Sequence, residues 1–342
     1  MRGIVHPRWL VGLCLLLGLS LGLAACSGAS GGEGGSSENV SGNVNVEGSS
    51  TVYPITQAAS ELFGQEYPDV KFKIGGAGTS DGFEAFCQGQ TQISDASRPI
   101  EPEELQACED AGIKFIEIPV AYDGISIVVN KKNNWAHDIT SAELKTLWEP
   151  AAENEVTKWS QVRPSWPDRP IDLYGPGTES GTFDFFTEEI NGEEDASRTD
   201  YQASENDNVL VQGVAGDVNA LGYFGYSYYE NNKDKLKALT LDGVDPTSQT
   251  IKSGEYPLSR PLFIYVNAQD AEKNKAVEEF VSYYVAKNNL DHIVEEAKYV
   301  TLPSDLEAES RKQWEDRTTG TAFDADGQPK GGSIEAAYKQ LQ

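Results

Sequence analysis

Apolar and polar residues alternate along Val44-Asn45-Val46-Glu47, which predicts a strand, and the run meets Gly48-Ser49-Ser50-Thr51 before apolar positions recur at helical spacing through Ala58, Leu62 and Phe63. The same succession repeats. Val70-Lys71-Phe72-Lys73-Ile74 alternates and is followed, after Gly78-Thr79-Ser80, by a helical stretch from about Gly82 to Gln88. Ile93 leads into Ser97-Arg98-Pro99, and Glu101-Pro102-Glu103-Glu104 opens a helix with acids in its first turn, as the helix dipole favours. Two apolar runs, 115–120 and 124–129, predict two strands. A short helix over 139–148 precedes an irregular stretch containing Trp159, Trp166 and several prolines. Ile171-Asp172-Leu173-Tyr174 predicts a strand entering a Gly175-Pro176-Gly177 loop, with a helix over 182–190 beyond Glu179-Ser180-Gly181-Thr182. Further on, the pattern predicts a helix over 208–217, a buried strand over 221–224 and an apolar strand over 262–266. One long helix over 271–288 shows Val277, Phe280, Val281 and Tyr284 on one face. The tail over 318–332 is loop-rich, with a last short helix after it. Strands and helices alternating in this way predict an α/β fold with largely parallel strands.

Four of the strand-to-helix turns share one chemistry. A helix start leaves backbone N–H groups without intrahelical partners and carries partial positive charge, so it attracts anions. The serines and threonines at 49–51, 79–80, 97 and 180–182 add hydroxyl donors without blocking approach, and Gly175 and Gly177 allow the backbone to come close. Together the turns can enclose a small tetrahedral oxyanion. Any one of them, Ser180-Gly181-Thr182 included, also reads as an ordinary helix cap. Arg98 is the only basic side chain in the four turns, and Pro99 holds it where its fork can meet an oxyanion.

Composition adds compartment and limits partners. The chain has 342 residues, 39% of them hydrophobic, enough for two domains with real cores. Residues 1–26 stand apart: Arg2, His6 and Arg8 precede an apolar run from Trp9 to Ala25, which predicts an exported leader. It ends in Leu23-Ala24-Ala25-Cys26, which resembles the lipobox at which bacterial lipoproteins are cleaved and lipidated on cysteine; an uncleaved anchor is the alternative. Residues 27–42 form a Gly/Ser-rich tether with a reach of roughly 20–25 Å. With Cys14 in the leader and Cys26 in the lipobox, Cys87 and Cys108 remain. In an oxidising compartment this pair predicts a disulfide, two buried thiols being the alternative. Formal net charge is −27, so the surface repels nucleic acid and anionic lipid headgroups. A site for an anion must then work through short-range hydrogen bonds and local dipoles, distant charges being screened beyond about 8–10 Å. No Cys/His cluster predicts a metal, and neither a metal nor another cofactor is expected.

Gly78-Thr79-Ser80-Asp81-Gly82 also matches G-x-S-x-G, the turn that exposes a hydrolase nucleophile. That reading takes Ser80 as nucleophile and His292 as base, and no Gly-rich oxyanion segment accompanies it. As a dinucleotide fingerprint the stretch fails, since Asp81 stands where the third glycine belongs. The aromatic group Tyr223, Phe224, Tyr226, Tyr228 and Tyr229 is expected in strand-end packing, with a sugar platform as the alternative.

The phrases Gly48-Ser49-Ser50-Thr51-Val52-Tyr53-Pro54, Gly76-Ala77-Gly78-Thr79-Ser80-Asp81-Gly82, Ser94-Asp95-Ala96-Ser97-Arg98-Pro99-Ile100, Glu179-Ser180-Gly181-Thr182-Phe183 and Ala220-Leu221-Gly222-Tyr223 resemble, in order and across nearly the whole chain after the leader, the phosphate-binding proteins of bacterial ABC phosphate importers. The resemblance implies a two-lobed periplasmic-binding-protein fold of the class II type, with a two-strand hinge near Asp123 and Arg260 and the ligand in the cleft. One lobe would comprise 43–123 plus 260–342 and the other 124–259. It implies a monomeric, extracytoplasmic, lipid-anchored receptor that delivers inorganic phosphate to membrane permease subunits and catalyses nothing. Carried over by position, Ser50 and Thr51, then Thr79 with Ser80, then Ser180, Gly181 and Thr182 bind the anion. Some family members carry an arginine where this chain has Pro176 and an aspartate near Ser97; Arg98 is expected to supply the cation, and Glu179, with Asp95 behind it, the carboxylate that accepts the phosphate proton. A site of neutral donors alone would leave sulfate or another oxyanion as the ligand.

Overall fold

The computed structural model describes residues 40–178, 180–204 and 206–341. The leader, Cys26, the tether as far as residue 39 and Glu179 lie outside the described residues.

The chain runs β1 (Gly42–Gly48), α1 (Tyr53–Glu66), β2 (Val70–Ile74), α2 (Thr79–Cys87), β3 (Ile93–Ala96), α3 (Pro102–Asp110) and β4 (Phe115–Asn130). It continues with β5 (Asp138–Ile139), α4 (Ser141–Trp148), α5 (Trp159–Val162), β6 (Asp172–Gly175), α6 (Gly181–Phe186), β7 (Gln202–Ala203), α7 (Asp207–Gly216), β8 (Ala220–Gly225), α8 (Tyr226–Glu230), β9 (Leu236–Ala238), β10 (Thr240–Leu241) and α9 (Ser248–Lys252). Then come β11 (Ser259–Asn267), α10 (Ala268–Lys273), α11 (Lys275–Tyr284), α12 (Lys287–Glu296), α13 (Ser304–Glu315) and α14 (Ile334–Leu341). The fold is mixed α/β. Its main sheet has the order β2-β1-β3-β11-β4-β8-β6-β7, with β9 pairing β4 and a separate β5–β10 pair.

The two strands expected over 115–120 and 124–129 are one continuous strand, β4, buried along its whole length. Its first part pairs antiparallel with β11, and beyond Gly124 it pairs with β8 and β9 instead. The break expected at Asp123-Gly124 is therefore a change of partner, with Asp123 opposite Arg260 on β11. The single helix expected over 271–288 is also corrected. Asn274, with extended backbone, ends α10, accepts from Ala276 N at 3.1 Å to cap α11, and donates to Asn43 O. A second break at Ala286 separates α12. The helix expected over 182–190 is α6 followed by a π-helical turn over Thr187–Asn191. The irregular stretch holds the short α5. The mostly polar sequence of α13, anchored by Leu306 and Trp314, forms a helix that no apolar pattern announced.

Two aromatic groups fill the core on either side of β4. Phe63 packs edge-on against Phe72 and Phe280. On the other side Phe186 stacks on Tyr223 at 3.8 Å, and Trp148 meets Tyr223 edge-on. Tyr223 and Phe224 are thus strand-end packing, as expected. Fully burying each such ring contributes about 1.5–3 kcal/mol. Glu117 of β4 is a buried carboxylate with no ion-pair partner among the described residues. It accepts instead from Tyr265 OH, Thr321 Oγ1, Ala322 N and Tyr338 OH at 2.7–2.9 Å, which holds the C-terminal segment against the sheet. Cys87, at the end of α2, and Cys108, in α3, are brought together with Cα atoms 4.4 Å apart.

Candidate functional site

The ends of β1, β2 and β3 on one side of the sheet release the chain into three of the four turns. Packing fixes these turns tightly. Ser49 N donates to Asp95 O and Gly78 N to Gly48 O, both at 2.9 Å. Gly82 lies so close to β1 that a Cβ there would meet Gly48 Cα at 2.4 Å, which is why α2 can start against the first turn. Of the two glycines of the G-x-S-x-G match, Gly82 therefore serves close helix–strand approach and Gly78 takes the positive φ (123°) that precedes α2.

Ser49, Ser50, Thr51, Thr79, Ser80, Ser97 and Arg98 line one cavity of about 240 Å³. Thr79 Oγ1 lies 3.1 Å from Ser97 Oγ and accepts from Ser97 N at 3.2 Å. The fourth turn reaches this wall from the other side. Ser180 caps α6, its Oγ accepting from Thr182 N at 3.2 Å, so the cap reading of this turn is realised. Ser180, Gly181 and Thr182 line an adjoining cavity of about 390 Å³, and Ser50 lines both. The turns meet at Thr51, whose Oγ1 donates to Gly181 O at 3.0 Å. A Cβ at Gly181 would come within 2.5 Å of Thr51 N, Oγ1 and Cα, so only glycine permits this approach.

Arg98 is at the cavity, but its charge is already engaged. Nη1 and Nη2 meet Glu104 at 2.9 and 2.8 Å, Nη2 also donates to Ser80 Oγ at 2.9 Å, and Nε pairs with Glu101 at 3.2 Å. Burial pulls its pKa down, but the bonds and charges of Glu104 and Glu101 outweigh this and raise it. A second guanidinium, which the sequence placed only at the flank of an apolar strand and at the expected hinge, also lines the cavity. Arg260 Nη2 donates to Thr51 Oγ1 at 2.8 Å and to Gly181 O at 3.3 Å, and its fork stacks on Phe185 at 3.9 Å. Burial lowers its pKa, opposed by the charges of Asp123, Glu188 and others.

Carboxylates complete the wall. Asp184, one turn into α6, accepts from Ser50 Oγ at 2.6 Å, and Glu188, Glu194 and Asp81 line the same cavity. Burial raises the Asp184 pKa, opposed by the Ser50 bond and assisted by Asp195; burial and neighbouring acids raise Glu194. Asp95 does not line the cavity. It is 0% exposed, takes a bond from Thr56 Oγ1 at 2.9 Å, and leaves Oδ2 without a partner. Burial pushes it up to about 8, against the Thr56 bond. The expectation that Asp95 accepts a proton from the ligand is corrected: its carboxyl is turned into the core below the turns. Nor does the structure support the Ser80–His292 pair. His292 is exposed on α12, outside the cavity lining, and Ser80 is bonded to Arg98. Among the described residues no His/Cys/Asp/Glu cluster suits a metal ion.

Residues 34–288 match the PBP superfamily domain. The chain is 46% identical over 288 residues to protein SphX of Synechocystis, covering 83% of this chain and 85% of the relative. To the phosphate-binding protein PstS of Staphylococcus epidermidis it is 38% identical over 271 residues, covering 78% and 81%. Among solved structures, a possible phosphate binding protein from Planctomyces limnophilus matches with a TM-score of 0.76 and 44% identity, over 81% of this chain and 99% of that one. A phosphate-bound, putative phosphate ABC transporter substrate-binding protein from Clostridium perfringens matches with a TM-score of 0.54 and 28% identity, over 77% and 100%. Identity of this extent over most of both chains shows the family: the protein belongs to the PBP superfamily, with the SphX and PstS proteins.

Proposed function

We propose that the protein binds inorganic phosphate outside the cytoplasmic membrane and delivers it to the permease of an ABC importer, performing no chemistry of its own. The observation that carries this reading is one cavity walled by the hydroxyls of Ser50, Thr51, Thr79, Ser80 and Ser97 with two guanidinium groups, Arg98 and Arg260. Such a wall suits a small tetrahedral oxyanion. The family relatives named for phosphate support it. The turn of Ser180, Gly181 and Thr182 would join from the other side, and Cys26 would carry the lipid that keeps a monomeric receptor at the membrane. The two lobes are 43–123 plus 260–342 and 124–259, and they close about the β4–β11 crossing at Asp123 and Arg260. Cys87 and Cys108 form a disulfide tying α2 to α3; no free thiol should appear in denatured, unreduced mature protein.

Asp184 takes the role of proton acceptor, with Glu179 as the other carboxylate of the same turn. Phosphate near neutral pH keeps a proton and can donate to Asp184; sulfate has none to give. Calorimetric titration with phosphate and then sulfate tests the reading. Saturable heat from phosphate is expected, and heat from sulfate without heat from phosphate would overturn it.

A further inference from the structure

Arg260 stands where the two halves of the protein exchange strands. It is paired in register with Asp123 at the point where β4 leaves β11 for β8. From there its side chain reaches both facing turns. Nη2 donates to Thr51 Oγ1, on the first turn, and to Gly181 O, on the turn opposite. The plane of the fork lies on Phe185, next to that second turn. One side chain on the crossing strand thus fastens the start of α1 to the start of α6. Only a planar, many-donor cation can bond both while stacking; an ammonium has neither the fork nor the flat face.

The pairing around Arg260 is incomplete. Its Nε and the Asp123 Oδ2 are both buried without hydrogen-bond partners, and they face each other at 3.8 Å, beyond bonding distance. The side chain is 13% exposed, and that exposure is toward the cavity proposed for phosphate. A buried guanidinium whose register partner Asp123 stands beyond bonding distance, with Glu188 and Glu189 acting on it only through their charges, carries charge that an entering oxyanion can balance.

Resting on the phosphate reading, we infer that Arg260 is the residue that couples anion binding to closure of the two halves. Opening the cleft separates Thr51 from Gly181, so Arg260 must release one of them. An oxyanion in the cavity attracts Arg260 most strongly where the fork is held between both turns and shielded from water. The anion therefore interacts differently with the open and closed arrangements, which is what a ligand needs to shift that balance. Arg98 lacks this geometry, since its bonds run to Ser80, Glu101 and Glu104 on its own side of the cleft.

The test compares wild type with Arg260→Gln and Arg260→Lys, each checked for folding by circular dichroism. Inorganic phosphate is titrated calorimetrically, and small-angle X-ray scattering gives the radius of gyration without phosphate and at saturation. Wild type should contract on binding. Arg260→Gln should lose affinity on the order of 100-fold and fail to contract even when saturated. Arg260→Lys should recover part of the affinity but little of the contraction. An Arg260→Gln protein that binds as tightly as wild type, or contracts as fully at saturation, overturns the inference. Should wild type give no heat with phosphate, the ligand reading fails, and the coupling is judged on the ligand-free proteins. There a larger radius for Arg260→Gln supports it, and an unchanged radius overturns it.

Discussion

Arg98 grips both carboxylate oxygens of Glu104, at 2.9 and 2.8 Å, while the same fork holds Ser80. A bidentate pair of this kind neutralises the cation that faces the cavity and fixes where it points. The acid that orients Arg98 thus also reduces its pull on an anion.

Opposite effects on the two partners follow. Arg98→Ala should weaken phosphate binding by on the order of 2 kcal/mol, a charge-assisted bond lost. Glu104→Gln keeps a bond to the fork but removes the competing charge, and it should strengthen binding at low ionic strength. Calorimetry in 20 and 300 mM salt separates the cases, since the Glu104→Gln gain should shrink as salt screens it. Weaker binding by Glu104→Gln would mean that orientation matters more than charge.

Gly181→Ala places a methyl group within 2.5 Å of the Thr51 backbone and hydroxyl. No rotamer relieves the clash, because a Cβ has none. The turns must then part, and phosphate affinity should fall by roughly tenfold or more, about 1.4 kcal/mol. The melting temperature without phosphate should move little, because the contact joins two polar turns at the cavity rather than apolar side chains of the core. Unchanged affinity would show that phosphate is held without this approach.

Asp95 makes stability depend on pH in an unusual direction. Burial raises its pKa to about 8 in the folded protein, against about 3.9 in an unfolded chain. The folded state therefore holds a proton that the unfolded state has given up across this window. Its contribution is fully present below about pH 4 and is lost as pH rises toward 8, by up to about 1.4 kcal/mol per pH unit. Asp95→Asn keeps the Thr56 bond and cannot ionise. Its melting temperature should match wild type near pH 4 and exceed it increasingly as pH rises to 8. Parallel melting curves across that range for the two proteins would refute the shift.

The turns were legible because strand, small polar residues and helix follow one another within a few positions, and local pattern records local geometry. Position along the chain hid what distance separates. Arg260 and Thr51 are 209 residues apart, and Ser50 and Asp184 are 134 apart. Arg260 opens an apolar strand and reads as its flank, while Asp184 lies inside the Phe183-Phe186 repeat and reads as the wet face of a helix. The continuity of β4 was obscured for a related reason. Asp123-Gly124 looks like a turn until Arg260 and Ser259 are seen opposite it, where a polar pair can stay in a buried strand. Asn274 likewise interrupts apolar spacing that would otherwise run straight from α10 into α11.

Asp184 supplies the sharpest chemical test. Its carboxylate is held by Ser50 Oγ at 2.6 Å at the cavity wall, and burial already favours its protonated form. An entering anion raises that preference further, so the pair of ligand and carboxylate must share a proton to avoid two facing charges. Phosphate brings that proton; sulfate does not. Asp184→Asn replaces the acceptor with an amide that can donate. Phosphate affinity should drop by about 1–3 kcal/mol as the proton loses its acceptor, while sulfate should bind more tightly than it does to wild type. Wild-type phosphate binding should also weaken at low pH, once Asp184 is protonated and can no longer accept, and the variant should lack that loss. Competition calorimetry at pH 5 and pH 7.5 measures both effects. If phosphate and sulfate keep the same ratio of affinities in Asp184→Asn as in wild type, the discriminating carboxylate is not Asp184.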